Sequence, residues 1–268
     1  MRKTICYAAG TMCLVFAAIL LITIRSPMPK LAAFISYNRI DNSYKDHYQV
    51  GFSVNGNNFR QGAVYIPVYS YREMDCAAEI AANFSITNDN AIETAEYFEF
   101  HDLHRLLRVY KYIDLVEYAN QAQHSTEKPI CDNEALLIAQ NFLDVLPHRK
   151  PQSHAINRFD DEIIVNFTGV LSGLPNHAFP TTITLSPHGD VMSAIHYFFD
   201  YEILDTADII SVRTALATLP HQSDKIRLTN YSLVYDFADS VLMPFYRFEG
   251  YSHCGAPFVF EVSAICFN

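Results

Sequence analysis

Histidines and carboxylates are the side chains in this 268-residue sequence whose types and spacing could do chemistry. His101 and His104, two of eleven histidines, lie three residues apart with Asp102 between them. In a helical turn, two imidazoles at this spacing can face one way toward a metal ion, and a carboxylate can orient one of them. A closed site needs a third and a fourth ligand, and none is near in the sequence. We therefore predict turn or surface histidines and no metal site.

A second candidate is the run of three carboxylates Asp160, Asp161 and Glu162. Paired carboxylates can divide the roles of acid and base in catalysis. These three come directly before an Ile-Ile-Val run that is typical of a strand, so a solvated entrance to that strand is the favoured interpretation. The sequence also lacks the motifs of serine hydrolases, zinc proteases, P-loop proteins and dinucleotide-binding proteins. We predict that the protein is not an enzyme, with no catalytic residue and no cofactor.

The six cysteines fall into two sets. Cys6 and Cys13 lie in an apolar N-terminal stretch. The other four lie in the body of the chain: Cys76, Cys131, Cys254 and Cys266. An oxidising compartment would permit bridges among these four in three pairings. Pairing of the last two is disfavoured because an extended strand between them exceeds disulfide reach; the remaining pairings, and free thiols, stay open.

Aromatic side chains are abundant, with 17 tyrosines and 19 phenylalanines. Two segments are densest in them, residues 65–71 and residues 197–201. Aromatics at alternating strand positions usually form core and cross-strand pairs. Consecutive aromatics put rings on both faces of a strand, which leaves an exposed interaction surface as the second interpretation.

Charge divides the chain into a small basic head and a large acidic body. Residues 1–30 contain Arg2, Lys3, Arg25 and Lys30 and no acid, so they carry +4. Because the whole chain has a formal net charge of −10, the remaining 238 residues carry −14. An acidic body argues against a nucleic-acid partner, since phosphate binding needs clustered basic residues.

The basic head surrounds an uncharged apolar stretch at residues 4–24. As a helix, these 21 residues would extend about 31 Å, which matches the hydrocarbon core of a bilayer. The sequence that follows, Arg-Ser-Pro-Met-Pro-Lys, offers no small-x-small cleavage site, so we predict an uncleaved single-pass anchor rather than a signal peptide. Basic residues on both sides favour a cytoplasmic N-terminus slightly. We predict a cell-membrane protein whose residues 31–268 lie outside the cytoplasm.

Two stretches of the body share the pattern Ala-x-x-Ile-Ala-x-Asn-Phe, at residues 76–84 and 134–142. The apolar positions lie at i, i+3, i+4 and i+7 and therefore on one helical face, although chance similarity of two amphipathic helices stays open. A third helix is predicted over residues 210–219. Strand-like stretches follow each helix, at 96–100 and 106–118, at 162–171, 181–185 and 191–199, and at 225–235, 241–248 and 258–265.

The change of period from 3.6 to 2 after each helix predicts an α+β fold, in which an N-terminal transmembrane helix precedes repeated units of one helix on an antiparallel sheet. Before the first helix, residues 50–54 and 63–69 surround an Asn-Gly pair, and this pattern predicts a β-hairpin.

The C-terminal half resembles a known family. Residues 231–235, followed by residues 242–250 with Pro244, resemble the ending of the YycH/YycI family of membrane-anchored regulators of bacterial two-component systems. Residues 168–195, with Gly-Leu-Pro and Gly-Asp-Val turns, resemble the strand–turn–strand part of the same module and, more broadly, PepSY-like modules. The resemblance implies an extracytoplasmic, non-enzymatic regulator of a membrane sensor kinase, and it implies a packing role for Pro244.

These observations predict three parts: an anchor at residues 1–30, an N-terminal α+β module at 31–129, and a YycI-like α+β module at 130–268. The predicted function is protein–protein regulation of a membrane partner such as a sensor histidine kinase, with the bilayer contacted through residues 4–24. The alternative is a PepSY-like module that binds a peptide or inhibits a protease, and an exposed groove between helix and sheet would distinguish it.

Overall fold

The structure is a computed structural model, and it describes residue 45, residues 48–54, 61–87, 91–122 and 128–147, residue 151, and residues 153–220 and 226–265. All of these belong to one unit, Asp41–Asn268. The predicted anchor at residues 4–24 lies outside the described residues. Within the described residues, no helix combines the length and the apolarity that a bilayer crossing requires.

Three helices form where the 3.6-residue period predicts them. They are α1 (Met74–Asn83), α2 (Asp132–Leu143) and α3 (Val212–Ala217). Helix α2 begins with a capping box, because the Glu134 carboxylate accepts a hydrogen bond of 2.7 Å from the Cys131 backbone N–H. The Ser211 hydroxyl accepts from the Thr214 N–H at the start of α3. The three predicted helices are confirmed.

Each of the first two helices is followed by four antiparallel strands. After α1 come β3 (Ile92–Glu93), β4 (Tyr97–His101), β5 (Arg105–Tyr110) and β6 (Leu115–Asn120). After α2 come β7 (Ser153–Arg158), β8 (Ile163–Leu171), β9 (Leu174–Leu185) and β10 (Val191–Tyr197). Strands β6 and β10 pair antiparallel, with Leu115 opposite Tyr197. The eight strands therefore form one continuous surface in the order β3-β4-β5-β6-β10-β9-β8-β7.

Six further strands extend this surface. They are β1 (Tyr48–Val50), β2 (Gln61–Val68), β11 (Asp200–Asp208), β12 (Ile226–Ala238), β13 (Val241–Tyr251) and β14 (Pro257–Ser263). Strands β12 and β13 form a hairpin, β14 lies beside β13, and β2 lies between β13 and β11. Strand β1 pairs parallel with β12, and β12 meets β9 through the single pair Tyr235↔Asn176.

Alanines let helices α1 and α2 pack closely on the sheet. Ala77, Ala81, Ala135 and Ala139 are at most 1% exposed, and all four belong to one core that includes strands from both four-stranded groups. The shared Phe of each helix follows one turn later, and the rings of Phe84 and Phe142 meet edge to face at 5.6 Å. Helix α3 packs in a second core against β12, β13 and β14.

The predicted fold class is wrong. Of the described residues, 54% lie in strands and 15% in helices, and the strands form one large mixed sheet rather than repeated helix-plus-sheet modules. The helical period is conspicuous in a sequence, whereas β7 and β11 have mostly exposed residues and little apolar alternation. The pairing of β6 with β10 joins the two groups of strands, and a sequence pattern gives no such long-range pairing. The division between residues 129 and 130 stays a prediction.

The predicted hairpin around the Asn-Gly pair is also wrong. Strand β1 pairs parallel with β12 at Tyr48↔Ile226, and β2 pairs antiparallel with β11 and β13. Residues 55–60, which contain the Asn-Gly pair, lie outside the described residues. Long-range strand pairing and burial of Tyr48 and Val64 therefore outweigh a local turn signal.

Candidate functional site

A cleft of about 430 Å³ opens where strand β9 departs from its neighbours. Strands β8 and β9 are in register at Phe167↔Thr181 and again at Gly169↔Asn176. Between these pairs the single residue Thr168 faces four residues of β9, residues 177–180, so a large irregular bulge interrupts the ladder. Bulges of this kind often re-aim side chains next to functional sites.

Residues from both faces of the sheet line the cleft. His196 and Tyr197 both line it, although consecutive residues of a strand point to opposite faces. Phe167 and Thr181 belong to the helix-covered face, whereas Gly169 lies at the bulge. A Cβ added at Gly169 would meet no atom of the described residues within 4 Å, so this position faces open space.

Aromatic rings form one wall of the cleft. The Phe179 ring lies 5.1 Å from the Tyr197 ring and 4.8 Å from the Phe199 ring, in each case between centroids. Phe199 is in turn 5.3 Å from Tyr201 and 5.3 Å from Tyr69. Tilted and edge-to-face contacts of this kind hold rings rigidly, which suits a binding wall.

The wall continues outward into an exposed patch made of Val68, Tyr69, Tyr71, Tyr112 and Ile113, which we call the outer patch. These side chains are between 38% and 57% exposed, and the rings of Tyr71 and Tyr112 are 5.4 Å apart. The two aromatic segments of the sequence, 65–71 and 197–201, thus meet at one place. Contiguous exposed apolar surface is typical of an interaction site, which supports the second interpretation of the aromatic segments.

A buried carboxylate holds the loop that carries the outer patch. Asp114 is 1% exposed, and it accepts hydrogen bonds from the Ser70 backbone N–H at 2.9 Å and from Arg72 Nε at 2.6 Å. Its carbonyl oxygen accepts from the Phe198 N–H, and the Arg72 guanidinium lies 5.0 Å from the Phe198 ring centroid. One residue therefore connects the two aromatic segments, through Ser70 and Arg72 at the end of the first and Phe198 within the second.

Polar groups line the cleft together with the aromatic rings. His196 is buried, with Nε2 at 2.5 Å from the Pro147 carbonyl and Nδ1 at 2.7 Å from Thr181 Oγ1. A carbonyl only accepts, so in the neutral imidazole Nε2 donates to Pro147 and Nδ1 accepts from the Thr181 hydroxyl. Asn176 Nδ2 donates to the Tyr201 hydroxyl at 2.7 Å. These bonds fix the residues after α2, and β9, β10 and β11, relative to one another.

An ionisable cluster lies beside the cleft on β12, β13 and β14. Arg247 Nη1 donates to Glu261 at 2.5 Å, and Arg247 Nε donates to Glu249 at 3.3 Å. Burial, and then a hydrogen bond with Glu261, raise the pKa of Asp236 to about 7. Burial, and then the Arg247 charge, lower the pKa of His177 in the β9 bulge.

The raised pKa of Asp236 predicts a loss of stability as the pH rises. A carboxyl group whose pKa is higher in the folded state stabilises the fold below its ordinary pKa, and this contribution is lost as the pH rises through about 7. We expect Asp236→Asn to lose less unfolding free energy than the native chain between pH 5 and pH 8.5, measured by urea denaturation. Asp239→Asn, at an exposed acid of the following turn, is the control and should follow the native profile. Identical profiles for the native chain and Asp236→Asn would contradict the prediction.

Of the histidine pair, His101 is the last residue of β4 and His104 lies in the turn between β4 and β5. Asp102 accepts from the His104 and Arg105 backbone N–H groups at 3.0 and 2.8 Å, and from Arg105 Nε at 2.7 Å. The hydrogen bond from Arg105 lowers the pKa of Asp102 to about 2. The prediction of turn or surface histidines is confirmed for His104, whereas His101 ends a strand and is half-buried. In the part of the chain that the structure describes, no three His, Cys, Asp or Glu side chains are grouped as metal ligands.

The acidic run also occupies a turn. Asp160 and Asp161 are exposed between β7 and β8, and the Phe159 N–H donates to the Glu162 carbonyl at 2.8 Å. Ile163, the next residue, is fully buried at the start of β8. The predicted solvated entrance to a strand is confirmed. Cys76 and Cys131 are exposed free thiols, while Cys6, Cys13 and Cys266 lie outside the described residues.

Sequence reasoning did not single out Gly169, Asn176, Thr181 and His196 as parts of one site. They come together only through the register of β8, β9 and β10, which the sequence does not reveal. Pro180 could have indicated the bulge in β9, because a proline within an apolar strand marks an edge or a bulge.

Comparison with known proteins is sparse. No family model matches the sequence, and no curated protein matches it. Among solved structures, the chain is similar to the Bacillus megaterium YpeB C-terminal domain at 13% identity, with 73% of this chain and 94% of that chain covered and a TM-score of 0.49. A likeness at this identity and score carries no argument about activity or partners. None of these comparisons confirms the resemblance to the YycH/YycI family.

Proposed function

We propose that the chain is a single-pass, membrane-anchored, extracytoplasmic interaction protein whose cleft binds an extended segment of a membrane protein. The observation that carries this proposal is the aromatic wall of the cleft, which continues into the exposed outer patch. Rigid aromatic side chains beside a cavity are the usual anchors of protein–protein binding. We name a sensor histidine kinase as the partner class, because the sequence resembles regulators of such kinases.

The charge distribution supports the membrane-anchored part of the proposal. An uncharged stretch at residues 4–24 lies between basic residues, and the body after it carries −14. The anchor would keep the body near the membrane, where a membrane protein is a frequent neighbour. The negative body would disfavour close approach to an anionic lipid surface, which leaves the cleft accessible to a protein partner.

The alternative function, a PepSY-like peptide-binding or protease-inhibiting module with a groove between helix and sheet, receives less support. The alanines of α1 and α2 pack tightly on the sheet, so a peptide has no room there. A peptide would instead have to enter the cleft at the β9 bulge. Both His196 ring nitrogens are bonded to protein groups, an arrangement that supports a structural role, and we propose no enzymatic activity.

Photocrosslinking in native membranes tests the proposal. A photoreactive residue at Val170, which lines the cleft and is 38% exposed, should capture one membrane protein, identified by mass spectrometry. We expect Gly169→Phe to reduce this capture at least tenfold, because Gly169 lines the cleft, an added Cβ meets no atom of the described residues within 4 Å, and the new ring would occupy space that the partner needs.

The matched control carries the photoreactive residue at Leu137, which is 57% exposed on α2. Capture of the same protein from both positions would show adhesion to the whole surface and overturn the proposal. Capture from Val170 that is undiminished by Gly169→Phe would exclude the cleft as the binding site.

A further inference from the structure

Strand β11 is an unusually accessible edge of the sheet. Within residues 61–87 and 153–265, as far as they are described, it forms a ladder with β2 alone. Five consecutive residues, from Glu202 to Thr206, are exposed, and Ile203 and Leu204 are 60% and 57% exposed. A strand edge with apolar side chains is a template for pairing with another chain. Natural proteins blunt such edges with charges and bulges, and β11 has both, so a strand that pairs with it must match its charges.

The register of β11 places three of its four carboxylates on one face. Asp200, Glu202 and Asp205 pair with Val68, Ile66 and Val64, which alternate along β2 and therefore share one face. The bulge at Leu204 makes this possible, because Asp205 would otherwise lie on the face of Ile203. Three negative side chains thus follow one another at strand spacing along the edge.

Charge identifies the kind of partner that fits this edge. Strand β11 has four acids and no basic residue. Pairing with a second copy of the same strand would set carboxylates against carboxylates, and like charges opposite each other destabilise a sheet. A segment with lysine or arginine at alternate positions would instead form cross-strand ion pairs with the carboxylates and put its intervening apolar residues beside Ile203.

We infer that β11 binds an extended basic segment of a protein partner by strand addition. The inference rests on the proposed function, because Asp200 and Tyr201, the first residues of β11, also line the cleft. A segment that leaves the cleft can therefore continue along the edge from Glu202 to Asp208. In strand addition, main-chain hydrogen bonds supply affinity and alternate side chains supply specificity.

Synthetic peptides test the inference on the full chain in lipid nanodiscs. The probe is a fluorescent extended peptide in which lysine and valine alternate. We expect it to bind at concentrations below about 1 mM. A peptide with glutamate in place of lysine should not bind, and one with the lysines grouped together should bind at least fivefold more weakly. Two further peptides are methylated at every second backbone nitrogen, one at the odd positions and one at the even positions. Only one of them should lose binding, because only every second N–H of a strand faces the edge.

Variants of the protein provide the second arm. Glu202→Gln combined with Asp205→Asn removes two carboxylates from one face and should weaken binding of the lysine–valine peptide about tenfold. Asp160→Asn combined with Asp161→Asn removes the same charge from the β7–β8 turn and should leave binding within twofold. All four residues are exposed, so both double variants should unfold at the temperature of the native chain.

Several results would overturn the inference. The first is absence of binding at millimolar peptide, and the second is equal binding of the peptides with grouped and with alternating lysines. The third is binding by both of the methylated peptides. A dimer that Ile203→Glu dissociates would assign the edge to a second copy instead. Capture from Val170 together with failure of the peptide would leave the cleft function standing and remove strand addition alone.

Discussion

Replacing Asp114 by alanine is expected to lower the free energy of unfolding by about 3 kcal/mol, the lower end of the range for removing one partner of a buried ion pair, because the Arg72 side chain is 28% exposed. The substitution leaves Arg72 without its carboxylate at 2.6 Å and the Ser70 N–H without its acceptor at 2.9 Å. Asp114 also has a φ of 43°, a left-handed conformation in which Asp and Asn are tolerated better than Ala. Urea denaturation of the native and variant chains measures the loss.

Two variants separate the causes of this loss. Asp114→Asn keeps an acceptor and the tolerance of positive φ, so we expect a loss of about half that of Asp114→Ala. Asp132→Ala removes an exposed ion pair with Arg158 and should cost about 1 kcal/mol or less. Equal losses for Asp114→Ala and Asp132→Ala would contradict the role assigned to the buried pair. Because Asp114 holds the loop of the outer patch, Asp114→Ala should also reduce partner capture from Val170.

Replacing Gly250 by alanine is the second large effect, with an expected loss of about 3 kcal/mol or more. Gly250 lies in β13 opposite Leu228, and an added Cβ would lie 2.9 Å from both the Arg227 carbonyl carbon and the Leu228 Cα, with the Arg227 oxygen closer still. These are backbone atoms, so the hairpin of β12 and β13 must separate to accept the methyl group. Differential scanning calorimetry measures the change.

Gly169→Ala is the matched control for that substitution. Gly169 is also a strand glycine, but its added Cβ meets open space, so we expect a change within about 1 kcal/mol, toward greater stability. The contrast tests whether close backbone approach, rather than loss of glycine as such, determines the cost. Similar losses at both positions would refute the argument for Gly250.

The sequence predicts the elements of this protein better than their arrangement. Helices α1 and α2 follow from one apolar face of alanine, isoleucine and phenylalanine, because that period is a property of a local stretch. Strands β8, β12 and β13 follow from apolar, aromatic-rich runs. The fold class is wrong because one long sheet arises from the pairing of β6 with β10 and of β2 with β11 and β13. Such pairings depend on partners far away in the chain.

The candidate site was predictable only in part. The aromatic segments 65–71 and 197–201 indicated an interaction surface as the second interpretation, and Asp114 with the strand pairings brings them together. The cleft itself depends on four residues of β9 opposing Thr168, and Pro180 is its single sequence signal. The acidic edge of β11 was not predictable, because a bulge at Leu204 determines which carboxylates share a face.

The parallel pairing of β1 with β12 has a consequence for biosynthesis. Tyr48 cannot meet Ile226 until the residues between them have been synthesised, and at roughly 5–20 residues per second this delay lasts about 10–35 s. Folding that depends on contacts so distant along the chain is intrinsically slow. Strand β1 therefore stays without its β12 partner throughout this interval, which makes synthesis, rather than the folded state, the stage at which its apolar residues are most prone to aggregate.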